Sequence, residues 1–239
     1  ISIRLAGWGN GEYIDGLWTR FNDANWTKGR VQNILFNNIR ATVPRTILPS
    51  HGMEQVPENV LNLTQVNTGI HITGTPHTRP GQITFSNVDI TFAGGGTEQE
   101  AAIRQVPILE RNYPETYMFG ELPAYGLYMH YVSGVTLSNV TFRLAAADRR
   151  PAIVCEEVDD LELYGFKAAG HPEAASLIRL QHTRHVFISG SRPLTPVAAF
   201  LHLEGEKCAD ILLAGNNLEQ AVKKITYAAG ATKKAVKNN

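Results

Sequence analysis

Carboxylates and aromatic rings are the residues of this chain most able to do chemistry. The densest acidic group is Glu156-Glu157 with Asp159-Asp160. Paired carboxylates are what glycoside hydrolysis requires, roughly 6.5–9.5 Å apart for inversion or about 5 Å for retention. These four lie in a turn between two apolar runs, so they also read as a solvated acidic corner. Residues 94–123 form a second concentration, with Glu110, Arg111, Tyr113, Glu115, Tyr117, Phe119 and Glu121, and Tyr125 just beyond. Flat aromatic faces beside carboxylates and a guanidinium suit stacking on sugar rings and hydrogen-bonding their hydroxyls. They suit pinning a loop equally well. Tyr113, Tyr117 and Tyr125 are therefore candidate sugar contacts, and Glu115 and Glu121 are candidate carboxylates for a locally built catalytic site.

Residues 7–28 hold all three tryptophans, Trp8, Trp18 and Trp26, among several glycines. Trp8 joins the candidate sugar contacts, with loop anchoring as the plainer role for such rings. His51, His77 and Arg79 fall in loops without the spacing of metal ligands, so no metal is expected. The chain carries no Gly-rich phosphate loop, no serine-nucleophile elbow and no Cys-X-X-Cys pair, and no cofactor is expected. Cys155 and Cys208 fall at different places in the repeat described next, which points to buried thiols rather than a disulfide.

The elements that must position these residues are announced by a recurring phrase: apolar, any, apolar, any, then Asn or Gly. It reads Ile34-Leu-Phe36-Asn-Asn38, Ile83-Thr-Phe85-Ser-Asn87, Val135-Thr-Leu137-Ser-Asn139, Leu161-Glu-Leu163-Tyr-Gly165, Val186-Phe-Ile188-Ser-Gly190 and Ile211-Leu-Leu213-Ala-Gly215. From Val135 onward the steps are 26, 25 and 25 residues. Spacing of two inside each phrase is strand periodicity, and a fixed period of this length marks a stacked repeat. A second strand precedes each later phrase, as in Leu127-Tyr-Met-His130 and Ile153-Val-Cys155. The pattern predicts an all-β fold, a right-handed parallel β-helix with rungs of about 25 residues, in which each strand pairs with its copies above and below. The Asn or Gly takes the left-handed backbone of the corner.

Composition leaves the partner open. Basic and acidic side chains balance at 22 each, so no net field points to nucleic acid, and no run approaches the roughly 20 apolar residues that span a bilayer. The whole of residues 1–239 reads as one domain. The phrase fails across 94–123, which reads as an inserted loop, and long excursions from a rigid scaffold tend to carry function. Asn216-Asn217 and the spacing of Leu218, Val222 and Ile225 predict a short capping helix over 217–229. At the other end Ile1-Ser-Ile3-Arg-Leu5 already alternates like a strand inside the stack. The expectation is that an N-terminal remainder or a second copy covers that first rung.

Taken together, Ile1-Ser-Ile3-Arg4-Leu5, Gly29-Arg-Val31-Gln-Asn33-Ile34-Leu-Phe36-Asn-Asn38-Ile39, Gly94-Gly95-Gly96, Tyr113-Pro-Glu115, Leu122-Pro-Ala-Tyr125-Gly126 and Asp148-Arg-Arg-Pro151-Ala152 resemble the C-terminal half of bacterial glycoside hydrolase family 28, the polygalacturonases and rhamnogalacturonan hydrolases. The resemblance implies a secreted or periplasmic enzyme that hydrolyses α-linked pectic glycosides by inversion. It also implies that the family's catalytic aspartates, its Asp-Asp pair and its Gly-His-Gly turn lie upstream of this chain. The family's Arg-Ile-Lys strand is matched only by Ser2-Ile3-Arg4-Leu5, without the Lys, which offers Arg4 as a substrate-binding cation. The partner implied is a polysaccharide or oligosaccharide; the alternative is a noncatalytic polysaccharide-binding or structural module.

Overall fold

The computed structural model describes residues 1–4, 13–14, 17–18, 30–44, 69–108 and 119–237. Its strands are β1 (Ser2–Arg4), the short antiparallel pair β2 (Tyr13–Ile14) and β3 (Leu17–Trp18), β4 (Gln32–Val43), β5 (Ile70–Thr73) and β6 (Gly81–Phe92). There follow β7 (Leu127–His130), β8 (Ser133–Leu144), β9 (Ile153–Glu156), β10 (Asp159–Tyr164) and β11 (Lys167–Ala168). The last are β12 (Ile178–Gln181), β13 (Arg184–Ser189), β14 (Arg192–Pro193), β15 (Val197–Glu204), β16 (Ala209–Ala214) and β17 (Ala221–Ala228). One short helix, α1 (Glu98–Ala102), lies between β6 and β7.

The fold is all-β, and its two large sheets are parallel. One runs β1-β5-β7-β9-β12-β15-β17, the other joins β4, β6, β8, β10, β13 and β16 in turn, and the chain alternates between them. The recurring phrase sets the register of the second sheet: Ile83, Val135, Leu161, Val186 and Ile211 are successive partners. The preceding strands supply the first sheet, where Ile70, Leu127, Ile153, Ile178 and Leu201 are aligned. Both columns point inward and are buried. Each such side chain contributes about 1.5–3 kcal/mol by leaving water. Like stacks on like where the sequence allows it. The Phe36 and Phe85 rings lie 4.8 Å apart and nearly parallel, which is the spacing of neighbouring strands.

Three corners turn on left-handed residues. The predicted one holds Asn38, Asn87, Asn139, Gly165, Gly190 and Gly215, all with φ between 53° and 64°. Asn139 donates its side-chain amide to Asn87 Oδ1 at 2.9 Å, tying two strands together at the corner. A second column, Gln82, Gly134, Asp160, His185 and Asp210, lies at the start of the second sheet, and a third, Tyr131, Glu157, His182 and Gly205, follows the first sheet. Most of these residues resist positive φ by about 1–2 kcal/mol; the stacked strands on either side hold them there.

The C-terminus differs from expectation. Instead of a helix over 217–229, Ala221–Ala228 forms β17 and pairs in parallel with β15. An exposed β15 edge offers a ladder of hydrogen bonds, and β-branched Val222, Ile225 and Thr226 fit it better than they fit a helix. Asn216 caps nothing helical: its side chain accepts from Ser191 N and donates to Ile188 O, continuing the corner. A single 3-10 turn at Lys233–Ala235 then brings Val236 against β16. Of the predicted insertion 94–123, the described residues hold α1 and no strand. Asp148 and Arg150 pin its start from beneath, with Gly96 N donating to Asp148 Oδ2 at 2.9 Å. Cys155 and Cys208 are buried free thiols.

Candidate functional site

The outer face of the first sheet gathers the polar side chains of its strands into columns. In each strand the inward residues are apolar, so the alternate ones point out beneath the insertion. One outward column runs Thr73, His130, Glu156, Gln181, Glu204. Its neighbour runs His71, Tyr128, Val154, Arg179, His202. Tyr128 and Val154 are covered by Val106, Phe119, Leu122 and Ala124 of the inserted segment, a small apolar cluster outside the main core.

A cleft remains where the insertion leaves the sheet. Thr73, Gly74, Thr75, Pro107, Ile108, Phe119 and His130 line it, a narrow recess with room for about one water-sized group such as a hydroxyl. The Thr73 hydroxyl is buried and has no hydrogen-bond partner among the described residues, a state that costs free energy unless something fills it. Beside it stands His130. Burial drives its pKa down to about 4, with Arg79 adding to the effect against Glu157, so the ring is neutral at neutral pH. Its face stacks on Tyr131 with centroids 4.3 Å apart, and Arg79 lies over the same tyrosine. Arg79 is itself tethered to Glu157 O at 2.6 Å. The cleft thus presents a hydroxyl, a neutral imidazole and the Phe119 ring, a set that suits an uncharged hydroxylated group.

Deeper along the column the carboxylates are engaged. Tyr128 Oη donates to Glu156 Oε2 at 2.7 Å, and His130 Nδ1 lies 3.8 Å from the same oxygen. Burial pushes the Glu156 carboxyl up, against the Tyr128 hydrogen bond and the Arg179 charge. Burial also pushes Glu204 up, but hydrogen bonds from His202 and Arg104 and the charges of Arg104 and Arg179 outweigh it and hold the carboxyl at about 2. Glu204 meets His202 Nε2 at 2.9 Å and Arg104 Nε at 2.7 Å. Glu156 and Glu204 are two register steps apart, about 9.5 Å between Cα atoms. One is easily protonated and the other firmly ionised, but both are held by neighbouring side chains.

The sequence candidates are placed unevenly by this geometry. Arg4 pairs in register with Thr73. Trp8, Tyr113, Glu115 and Tyr117 lie outside the described residues, as does His51. Tyr125 is not a sugar contact: it is fully buried, its hydroxyl donates to Ala169 O, and its ring packs edge-on against Phe92. The apolar alternation that carries Tyr125 into the strand start turns it inward. Glu121 is exposed on the inserted segment and is not among the residues that line the cleft. His71 lies in β5 with its ring 5.3 Å from Phe119. Of the acidic quartet, Glu156 faces the insertion. Asp159 is at the opposite corner, bound by Arg184 at 3.0 Å and His185 at 2.6 Å.

Sequence reasoning missed Thr73, His130 and Glu204. One signal existed: His130, Glu156 and Gln181 each stand five residues before their phrase, so aligning the strands on the phrase puts polar residues in one file. Among the described residues no three His, Cys, Asp or Glu side chains are grouped to hold a metal ion, and no helix is long and apolar enough to cross a membrane. Compared with protein-family models, curated proteins and solved structures, the chain matches none.

Proposed function

We propose that this chain is the carbohydrate-active part of a right-handed parallel β-helix of the polygalacturonase type, and that it binds a polysaccharide along the outer face of its first sheet. The observation that carries this reading is the buried Thr73 hydroxyl, without a hydrogen-bond partner among the described residues, beside neutral His130 in a cleft walled by Phe119. Sugar hydroxyls satisfy such a donor and acceptor set, and an aromatic wall takes the apolar face of the ring. Strands that alternate between two parallel sheets at a step of 25 or 26 residues support the β-helix, a scaffold in which stacked repeats expose long binding faces. By the family resemblance, the parent enzyme is secreted or periplasmic and cleaves α-linked pectic glycosides by inversion, with its catalytic aspartates upstream of this chain.

Calorimetric titration with methyl-esterified oligogalacturonides, whose carboxyl groups carry no charge, tests the reading. Thr73→Val and His130→Ala are each expected to weaken binding about three- to tenfold, the weight of one hydrogen bond, with little change in melting temperature. Wild-type protein that binds no pectic oligosaccharide would sink it. The engagement of Glu156 and Glu204 by Tyr128, His202 and Arg104 favours a second reading for the chain alone, a noncatalytic binding module. Binding without release of reducing sugar is expected of the chain alone, and release would rule that second reading out.

A further inference from the structure

The column under the cleft does not end at the cleft. Thr73, His130, Glu156, Gln181 and Glu204 continue in unbroken register, four steps or roughly 19 Å at strand spacing. Only its first two members line the open cleft. Farther along, Arg104 from the segment after α1 lies on Glu204, whose side chain is left 8 % exposed, and Arg179 of the neighbouring column reaches Ala101 and Ile103.

The cover is held in three places. Its start is fastened by Gly96, whose N–H donates to buried Asp148, and near the cleft the hold is apolar, through Val106, Phe119, Leu122 and Ala124 on Tyr128 and Val154. Between these two anchors, over the far end of the column, two arginines do the holding. The Arg179 guanidinium, rising from the sheet, donates to Ala101 O at 2.6 Å and to Ile103 O at 2.8 Å. Arg104, descending from the cover, meets Glu204 at 2.7 Å while remaining 38 % exposed itself. An apolar hold is lost outright when it opens, whereas buried hydrogen bonds and an ion pair exposed on its arginine side can be exchanged for bonds to water or to a polar ligand that reaches the same groups. Arg179 Nε is also buried without a partner among the described residues, a donor left over by the closed arrangement.

We propose that the strip from Glu156 to Glu204 is a covered continuation of the binding column, and that residues 98–106 are a strap, anchored at one end by Gly96 on Asp148 and at the other by the apolar cluster, and latched between them by Arg104 and Arg179. When the latch opens, the strip takes a longer stretch of the same hydroxyl-rich chain. Sugar hydroxyls donate to the Glu156 and Glu204 carboxylates, and the Gln181 amide and the freed Arg179 guanidinium donate to sugar oxygens. The inference rests on the sugar reading of the cleft and adds an extent and a gate to it.

Arg104→Ala removes one side of the latch from an exposed position, with Arg104→Lys as the variant that keeps the charge. Amide hydrogen exchange over 98–104 reads the latch, and calorimetry with the methyl-esterified, uncharged forms of digalacturonate and of longer oligogalacturonides reads the strip. The expected result is faster exchange in Arg104→Ala, unchanged affinity for digalacturonate and about three- to fivefold tighter binding of the longer chains, the weight of one partly exposed ion pair. Arg104→Lys should lie between the two. Exchange that stays as slow as in the wild type overturns the latch. Faster exchange with no gain for longer chains overturns the strip as a sugar site and leaves the cleft reading standing. If neither protein binds digalacturonate or the longer chains, the cleft reading fails and takes the strip with it.

Discussion

The Arg150 guanidinium forks onto Asp148, with Nε 3.0 Å from Oδ1 and Nη2 2.8 Å from Oδ2, and both side chains are almost wholly buried. The same carboxylate also accepts from Gly96 N and Arg150 N. This pair is the fastening between the start of the insertion and the strand stack. A Cβ at residue 96 would come within 2.1 Å of Arg150 Nε, so glycine is needed there for close approach.

Asp148→Asn should therefore destabilise the protein by about 3–5 kcal/mol, because it leaves a buried guanidinium without its counter-charge. Urea unfolding measures the loss. A cost below 1 kcal/mol would mean that the cation has found water.

At the Asn corner, Asn139 combines a left-handed backbone with a bond to Asn87. Asn139→Ala is expected to cost about 1–3 kcal/mol, part from the strained φ and part from the lost bond. Asn139→Gly should lose only the bond and relieve the strain. Thermal unfolding of the two variants side by side separates the contributions, and equal losses would refute the backbone share.

His130 makes stability depend on acid. Its pKa is about 4 in the folded protein and about 6.5 when unfolded, so between those values the unfolded chain takes up a proton that the folded one refuses. Stability contributed by the neutral ring is complete above pH 6.5 and drains away as pH falls toward 4, by about 3 kcal/mol in all. Glu156, whose carboxyl burial pushes up, works in the opposite direction, since the folded protein takes up that proton first. The informative quantity is thus the difference between wild type and His130→Asn in urea unfolding at pH 7 and pH 4.5. The variant should lose less stability on acidification, and parallel losses would contradict a buried neutral imidazole.

Both thiols should be inert. Burial pushes the Cys155 thiol far up and raises that of Cys208 against three backbone hydrogen bonds. Thiolate is the reactive form, so a thiol reagent should label neither residue in native protein and both in denaturant. Rapid labelling of one thiol under native conditions would show a local opening of the stack.

The second sheet and one of the three corners were legible from residues alone, because Ile, Leu, Val and Phe alternate strictly before Asn or Gly. The other two corners were not. Tyr131, Glu157, His182 and His185 have no preference for positive φ and adopt it because the stacked strands leave no other path. The helix predicted from Leu218, Val222 and Ile225 failed for a related reason: local spacing lost to the hydrogen bonds offered by β15. The candidate site was the least legible part. Thr73 and His130 are single polar residues in apolar strands, far apart in the chain, and register alone brings them together. Tyr125 misled because an aromatic next to a loop has the same composition whether it faces a ligand or the core.

The register also determines how this chain tolerates editing. Removing one residue between corners would turn every later side chain of that strand inside out, exposing an apolar file and burying a polar one. Removing or duplicating a block of 25 residues, such as 157–181, starts and ends at equivalent corner positions and returns each side chain to its own file. Such a block is the natural unit of change for this molecule: its length can be altered by whole layers, and the outward face lengthens or shortens by one residue position per layer.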